Sequence, residues 1–204
     1  MGLDASAVRG HLQADLSYQS RLVRFLENHD EPRIASCLLA DPEKAAAVAI
    51  ATLPGATLWY EGQFEGRRVR PPVFLSRRPD EPPDVELADW YRRLLAAVAG
   101  HQVRAGTWRL LEAGGWPDNQ SCRNLATWSW AGDGHGDSHL VVVNLSGQPA
   151  QARIPLDWPD LPGRGWQLTD ILSQSMFERD RGELASPGLF VDLGPLQFHL
   201  LALR

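Results

Sequence analysis

Cysteine is scarce in this chain of 204 residues: there are two, Cys37 and Cys122, 85 positions apart (122 − 37 = 85). That excludes a disulfide framework and a thiolate metal cluster, and reads as two reduced structural thiols in a cytoplasm. Long apolar runs are missing too. The longest, residues 45–54, is too short for a bilayer, which needs about 20 residues. The first ten residues, MGLDASAVRG, lack the apolar core of a signal peptide. Charge of one sign is not concentrated: the net charge is −5 and there is no basic stripe of the kind that binds nucleic acid or an anionic membrane. What is present, 44% hydrophobic residues and eight tryptophans, suits a folded globular chain.

The two halves differ in period. In residues 1–104, Asp4 can cap a helix carrying Val8, Leu12 and Leu16, with Gly10 weakening it. Residues 22–28, LVRFLEN, read as a strand buried on both faces. DPEKAAAVAIATLPG follows with Asp41 as cap, Pro42 at the first helical position and Pro54-Gly55 as the stop. ATLWYEG is a second strand. Residues 62–83 form a loop with five prolines and five arginines, and Asp84 caps a helix with Leu87, Trp90, Tyr91, Leu94, Leu95 and Val98 on one face. Strand, helix, strand, helix is the order of a parallel α/β architecture. Residues 105–204 are all β. NLATWSW and HLVVVNL flank the polar loop AGDGHGDS, and AQARIPL, WQLTDIL, GLFVDLG and QFHLLALR are further strands, so an antiparallel sandwich is expected. The last strand runs to the final residue, which suggests a native end. Two parallel strands cannot bury both faces, which suggests a missing upstream part.

Within this frame FLENHDEPR offers two readings of Asn28-His29-Asp30: a strand end with a cap, or part of a site. The stretch resembles the fourth conserved motif of the α-amylase superfamily, glycoside hydrolase family 13. LPGATLWYEGQFEG, from Pro54 and Gly55 to Tyr60 and Gly62, resembles that family's next strand, with a looser fit after Gly62. LADWYRRLLAAV resembles its closing helix, and an all-β domain follows there as here. The resemblance spans nearly the whole chain in the right order and favours the site reading. It implies that residues 22–28 and 57–61 are strands seven and eight of a (β/α)8 barrel, with 41–53 and 85–99 as their helices. It also implies that Asp30 stabilises the transition state of α-glucoside cleavage and that His29 binds a sugar hydroxyl, at the barrel mouth where such sites lie. Asn28, Arg33 and Tyr60 join them as substrate-binding candidates, Arg33 pairing with Asp30 or Glu27.

A retaining glycosidase also needs a nucleophile and an acid about 5–5.5 Å apart. The family draws these from strands four and five, and no segment here resembles either motif. The expectation is the C-terminal part of a glycosidase or glucanotransferase acting on an α-glucan or oligosaccharide. That chain would be inactive by itself, would need no cofactor, and would be completed by an upstream barrel fragment or partner chain. A non-catalytic carbohydrate-binding or assembly module is the alternative, and a truncated product with an open barrel edge is another. Glu27 and Glu31 read as solvated loop acids before mouth-lining ones. Glu61 and Glu65 read as loop-ordering before sugar-contacting, and one of Trp59 and Tyr60 should pack in the core. Arg67, Arg68, Arg70, Arg77 and Arg78 read as a solvated cluster paired with acids. GDGHGDSH, with Asp133, His135, Asp137 and His139, reads as a flexible turn before a metal site. Most tryptophans of the β half should be core.

Overall fold

The computed structural model describes residues 3–74, 77–132, 138–156, 158 and 165–203. Asp133, His135 and Asp137, the centre of the histidine-bearing loop, lie outside them. Asp4 caps α1 (Ala5–Leu12), its carboxylate accepting from the Ser6 and Ala7 N–H groups at 2.8 and 3.1 Å. The helix expected through Leu16 is broken in two: α2 (Leu16–Gln19) starts afresh. The buried Gln19 amide donates to the His11 carbonyl at 2.6 Å, occupying an acceptor that a longer α1 would use internally.

β1 (Val23–Arg24) and β2 (Ala56–Thr57) run parallel, Val23 opposite Ala56 and Arg24 opposite Thr57. Between them lie α3 (Ile34–Cys37) and α4 (Ala40–Thr52). Both strands are shorter than expected, and Val23 and Phe25 are exposed, not buried on both faces. Among the described residues each strand has only the other as neighbour, so nothing extends the pairing or covers the far side. α4 starts one residue before Asp41, and Leu39 stands at its cap without a side-chain hydrogen bond. Pro42 therefore lies within the first turn, where its missing N–H is not needed, and Asp41 and Glu43 there suit the positive end of the helix dipole. Residues 45–51 are buried as the apolar run requires.

Gly55 makes the return from α4 to β2. Its φ is +99°, and a Cβ there would stand 2.5 Å from the Leu22 carbonyl oxygen, which accepts from Ala56 N at 2.9 Å. Gly55→Ala combines a strained φ with a backbone clash and is expected to cost about 1–3 kcal/mol. A urea midpoint equal to that of the wild type would show instead that this turn relaxes freely.

Asp84 caps α5 (Val85–Gly100), accepting from Leu87 N at 2.9 Å. Among the described residues eight strands follow: β3 (Thr107–Leu111), β4 (Leu125–Ala131), β5 (Ser138–Asn144), β6 (Ala150–Ile154), β7 (Trp166–Asp170), β8 (Met176–Arg179), β9 (Leu189–Leu193) and β10 (Phe198–Leu203). Six make one antiparallel sheet in the order β3-β4-β5-β10-β7-β8, and β6 pairs with β9 in a second. The larger sheet is covered on both faces. Trp128, Val141, Val143 and Leu200 pack in one core with Val48, Leu87 and Leu94 of the helices. Leu125, Leu140, Val142 and Leu201 pack in another with Ala152, Ile154 and Val191 of the smaller sheet. This explains why HLVVVNL is continuously apolar: alternate residues serve opposite cores. Trp130 Nε1 donates to the Thr52 carbonyl at 2.7 Å, and Arg9 Nη1 to the Arg123 and Leu125 carbonyls at 2.6 Å each, joining helices to sheet. Trp108, Trp128, Trp130, Trp158 and Trp166 are buried, while Trp116 is half-buried beside Phe190. The chain is a partial α/β unit followed by an antiparallel β-sandwich. Among the described residues no helix is long and apolar enough to cross a membrane.

Candidate functional site

The segment leaving β1 carries its polar residues in two directions. Glu27 turns inward and is wholly buried. Asn28 holds the turn, its Oδ1 accepting from Asp30 N at 2.8 Å and Glu31 N at 3.0 Å. His29 and Asp30 are thereby left outward, their side chains 58% and 75% exposed, with His29 Nε2 3.2 Å from Asp30 Oδ2. Arg70 of the long loop donates to the Asp30 carbonyl at 2.8 Å. The two readings of Asn28-His29-Asp30 are thus compatible, since Asn28 does local work that frees the next two side chains.

Arg33 is the hinge of the inner side. It is 2% exposed, and Nη1 donates to Glu27 Oε1 at 2.7 Å and to the Glu61 carbonyl at 2.6 Å. Nη2 lies 3.7 Å from Glu61 Oε2, and the guanidinium stacks 4.5 Å from the Tyr60 ring centre. The second Glu27 oxygen accepts from Ile34 N at the start of α3. Of the two partners expected for Arg33, the structure selects Glu27. A direct sugar contact by Arg33 is replaced by burial, because its charge is spent on the ends of both strands. Glu27 is likewise not a solvated acid; it is buried because it caps α3 and neutralises Arg33. Glu61 orders the loop by pairing with Arg78 as well as Arg33, and Glu81 accepts from the backbone of Arg68 and Val69.

Behind the strand ends, Trp59 packs on Phe64 and Tyr91 at 5.6 and 5.7 Å between ring centres, so Trp59 is the core member of the Trp59–Tyr60 pair. The Tyr91 hydroxyl donates to Glu43 Oε1 at 2.8 Å and accepts from Gln63 Nε2 at 3.1 Å. Burial pushes the Glu43 carboxyl up to about 7, against the opposing Tyr91 hydrogen bond and with the charges of Glu27 and Asp84 adding to the rise. Burial, with the Glu43 charge beside it, also raises the Tyr91 hydroxyl, which stays a donor at neutral pH.

Sequence reasoning singled out His29 and Asp30 and offered Glu27 as a partner for Arg33, but it read Glu27 as a solvated loop acid and passed over Glu43, and both are buried. The available signal was a carboxylate inside an otherwise apolar strand with an arginine six residues on. Chemically, a carboxylate and an imidazole 3.2 Å apart can accept from and donate to neighbouring hydroxyls. Among the described residues no three histidines, cysteines or acids are grouped to hold a metal ion.

No protein-family model matches the chain. The α-amylase MalA of Haloarcula japonica is 28% identical over 207 aligned positions, covering 90% of this chain and 29% of that protein. The α-amylase of Geobacillus thermoleovorans, solved with acarbose, superposes with a TM-score of 0.70 at 18% identity over 93% of this chain and 42% of its own. An Anoxybacillus α-amylase gives 0.69 at 16% identity over 91% and 38%. The chain spans less than a third of the curated relative and about two fifths of the solved ones. The solved structures establish a shared fold, and the sequence match is to the C-terminal part of its protein. The chain is therefore similar in sequence to the C-terminal portion of an α-amylase and shares the fold of the corresponding part of solved α-amylases.

Proposed function

We propose that this chain is the C-terminal part of an α-amylase-family glycosidase or glucanotransferase acting on α-glucosidic bonds. In this reading residues 1–104 are the last quarter of a (β/α)8 barrel and residues 105–204 its β-sandwich. The observation that supports it is the pair His29 and Asp30, exposed and adjacent where the chain leaves a parallel strand, the end at which barrel sites are built. Asp30 strengthens its hydrogen bonds to the sugar as positive charge develops at the anomeric carbon, and His29 holds a hydroxyl of the same ring. Asn28 keeps the turn, Tyr60 adds a ring surface, and Arg33 positions both strand ends from behind. The nucleophile and acid come from the remaining barrel, so this chain alone turns over no substrate.

The test joins this chain to the portion of the Haloarcula protein outside the match and measures hydrolysis of starch and a nitrophenyl maltoside. Restored turnover is expected, with none from the 204-residue chain alone; hydrolysis by the chain alone sinks the reading. Asp30→Asn removes a charge-assisted hydrogen bond and is expected to lower restored turnover between about tenfold and a hundredfold. The second reading is a non-catalytic carbohydrate-binding or assembly module, favoured by the half-buried Trp116 on the β-sandwich. Tryptophan-fluorescence change with maltooligosaccharides, abolished in Trp116→Ala and unaffected in Asp30→Asn, would select it.

A further inference from the structure

Two guanidiniums stand where the chain enters its parallel strands. Arg24 lies in β1, directly opposite Thr57 of β2. Its Nε donates to the Pro54 carbonyl at 2.8 Å and its Nη2 to the Gln19 side-chain oxygen. Arg104, which follows α5, donates from Nη2 to the Gly55 carbonyl and from Nη1 to Thr57 Oγ1 at 3.2 Å. The two arginines thus grip adjoining carbonyls of one turn. Every acceptor they use is neutral. Gln19 and Thr57 are also held elsewhere, donating to the His11 and Ile50 carbonyls at 2.6 and 3.0 Å. Among the described residues no carboxylate pairs with either guanidinium. Both are half-buried, and burial lowers the pKa of each; the Arg104 charge lowers that of Arg24 further, so the two cations oppose one another. Arg24 Nη1 and Arg104 Nε take no part in these bonds and are not among the chain's buried orphan nitrogens, so both reach solvent. Tyr18 of α2, 52% exposed, is near enough to favour the Arg24 charge.

We propose that Arg24 and Arg104 form a site for a dianionic oxyanion of the phosphate class, with Tyr18 beside them. Two like charges held together without an acid are costly, and a dianion between them offsets both. Guanidinium N–H groups from two chain segments suit a phosphate, whose oxygens accept in several directions. The site is distinct from the exposed pair. Arg24 and the Pro54–Gly55 turn stand at the entry to the two strands, whereas His29 and Asp30 stand beyond the exit of β1. It needs no sugar chemistry, so its outcome is independent of the proposed glycosidic role. A bound anion would tie β1, the turn into β2 and the segment after α5 together.

Thermal melting of the 204-residue chain in sodium phosphate, against sodium chloride of equal ionic strength, tests this. The wild-type Tm is expected to rise by roughly 2–4 °C, and the double variant Arg24→Gln with Arg104→Gln to show no rise. Arg21→Gln, at an exposed neighbour, should keep the full phosphate effect. An equal rise in the double variant puts the anion elsewhere and overturns the proposal, as does no rise in the wild type. A second measurement needs no variant. Phenylglyoxal modifies accessible arginines, and peptide mass mapping reads each one. Inorganic phosphate is expected to slow modification of Arg24 and Arg104 and to leave that of Arg21 unchanged. Phenyl phosphate in a parallel arm distinguishes an esterified ligand from the free anion. Protection of Arg24 and Arg104 by either upholds the site, and protection by neither overturns it.

Discussion

Glu27→Gln is expected to lower the stability of this chain by about 3–5 kcal/mol, the cost of breaking a buried ion pair from one side. Gln keeps the shape of Glu27 but not its charge. Arg33, 2% exposed, would then hold an uncompensated guanidinium between the Glu61 carbonyl and the Tyr60 ring. Ile34 N would also lose a charged acceptor. The contrast is Glu61→Gln, whose carboxylate is 61% exposed and whose pairing with Arg78 is screened by water; there the loss stays within about 1 kcal/mol. Urea unfolding with an unchanged slope reads both. Equal losses for the two variants would mean that burial does not govern this cluster. Replacing both partners, Glu27→Met with Arg33→Met, should recover much of the loss, since the pair is costly to break but not costly to omit.

The second large effect is in pH. Glu43 is buried, and its carboxyl is pushed up from 4.5 to about 7 in the folded chain. The folded state therefore holds this proton more tightly than the unfolded state. A raised folded value contributes stability that is complete below the unfolded value and is lost as pH rises through the folded one. Glu43 should thus cost the fold about 3 kcal/mol between pH 4.5 and pH 7, taking roughly 1.4 kcal/mol per pH step. Glu43→Gln keeps a neutral acceptor for the Tyr91 hydroxyl and has no proton to lose. Its stability should fall less than that of the wild type between pH 5 and pH 8, and the difference between the two curves isolates this one group. Parallel curves would show that Glu43 ionises without penalty. Because Gln63 links Tyr91 to the turn after Tyr60, the same rise in pH should loosen that turn, beyond β2, before the sandwich.

Some of this was legible in the residues because it is local. Asp4 and Asp84 announce helix starts, since a short acceptor side chain there can reach only the next few N–H groups. Ala150, Ala152 and Ile154 announce one buried face of a strand, since the pleat alternates. Asp41 misled, because a proline in the first turn is tolerated at more than one position and the helix could start earlier. The strand at 22–28 misled for a different reason: apolar composition records what the residues can bury, not whether a neighbour stands beside them.

By itself the sequence determined the helix–strand alternation of the first half, six strands of the β-sandwich and the likeness to α-amylases, and it singled out His29 and Asp30, whereas α3, β3 and β8 came only from the structure. The former follow from period, turns and short motifs. Only the tertiary structure decided which charges work inside. Glu27, Arg33, Glu43 and Arg67 look in sequence like any loop or helix charges. Their roles come from residues brought close from distant positions, where low water content makes a paired charge strong and an unpaired one expensive. Arg33 became a clamp because Glu27 and Glu61 meet there, whereas Arg67 is buried with two nitrogens that find no acceptor.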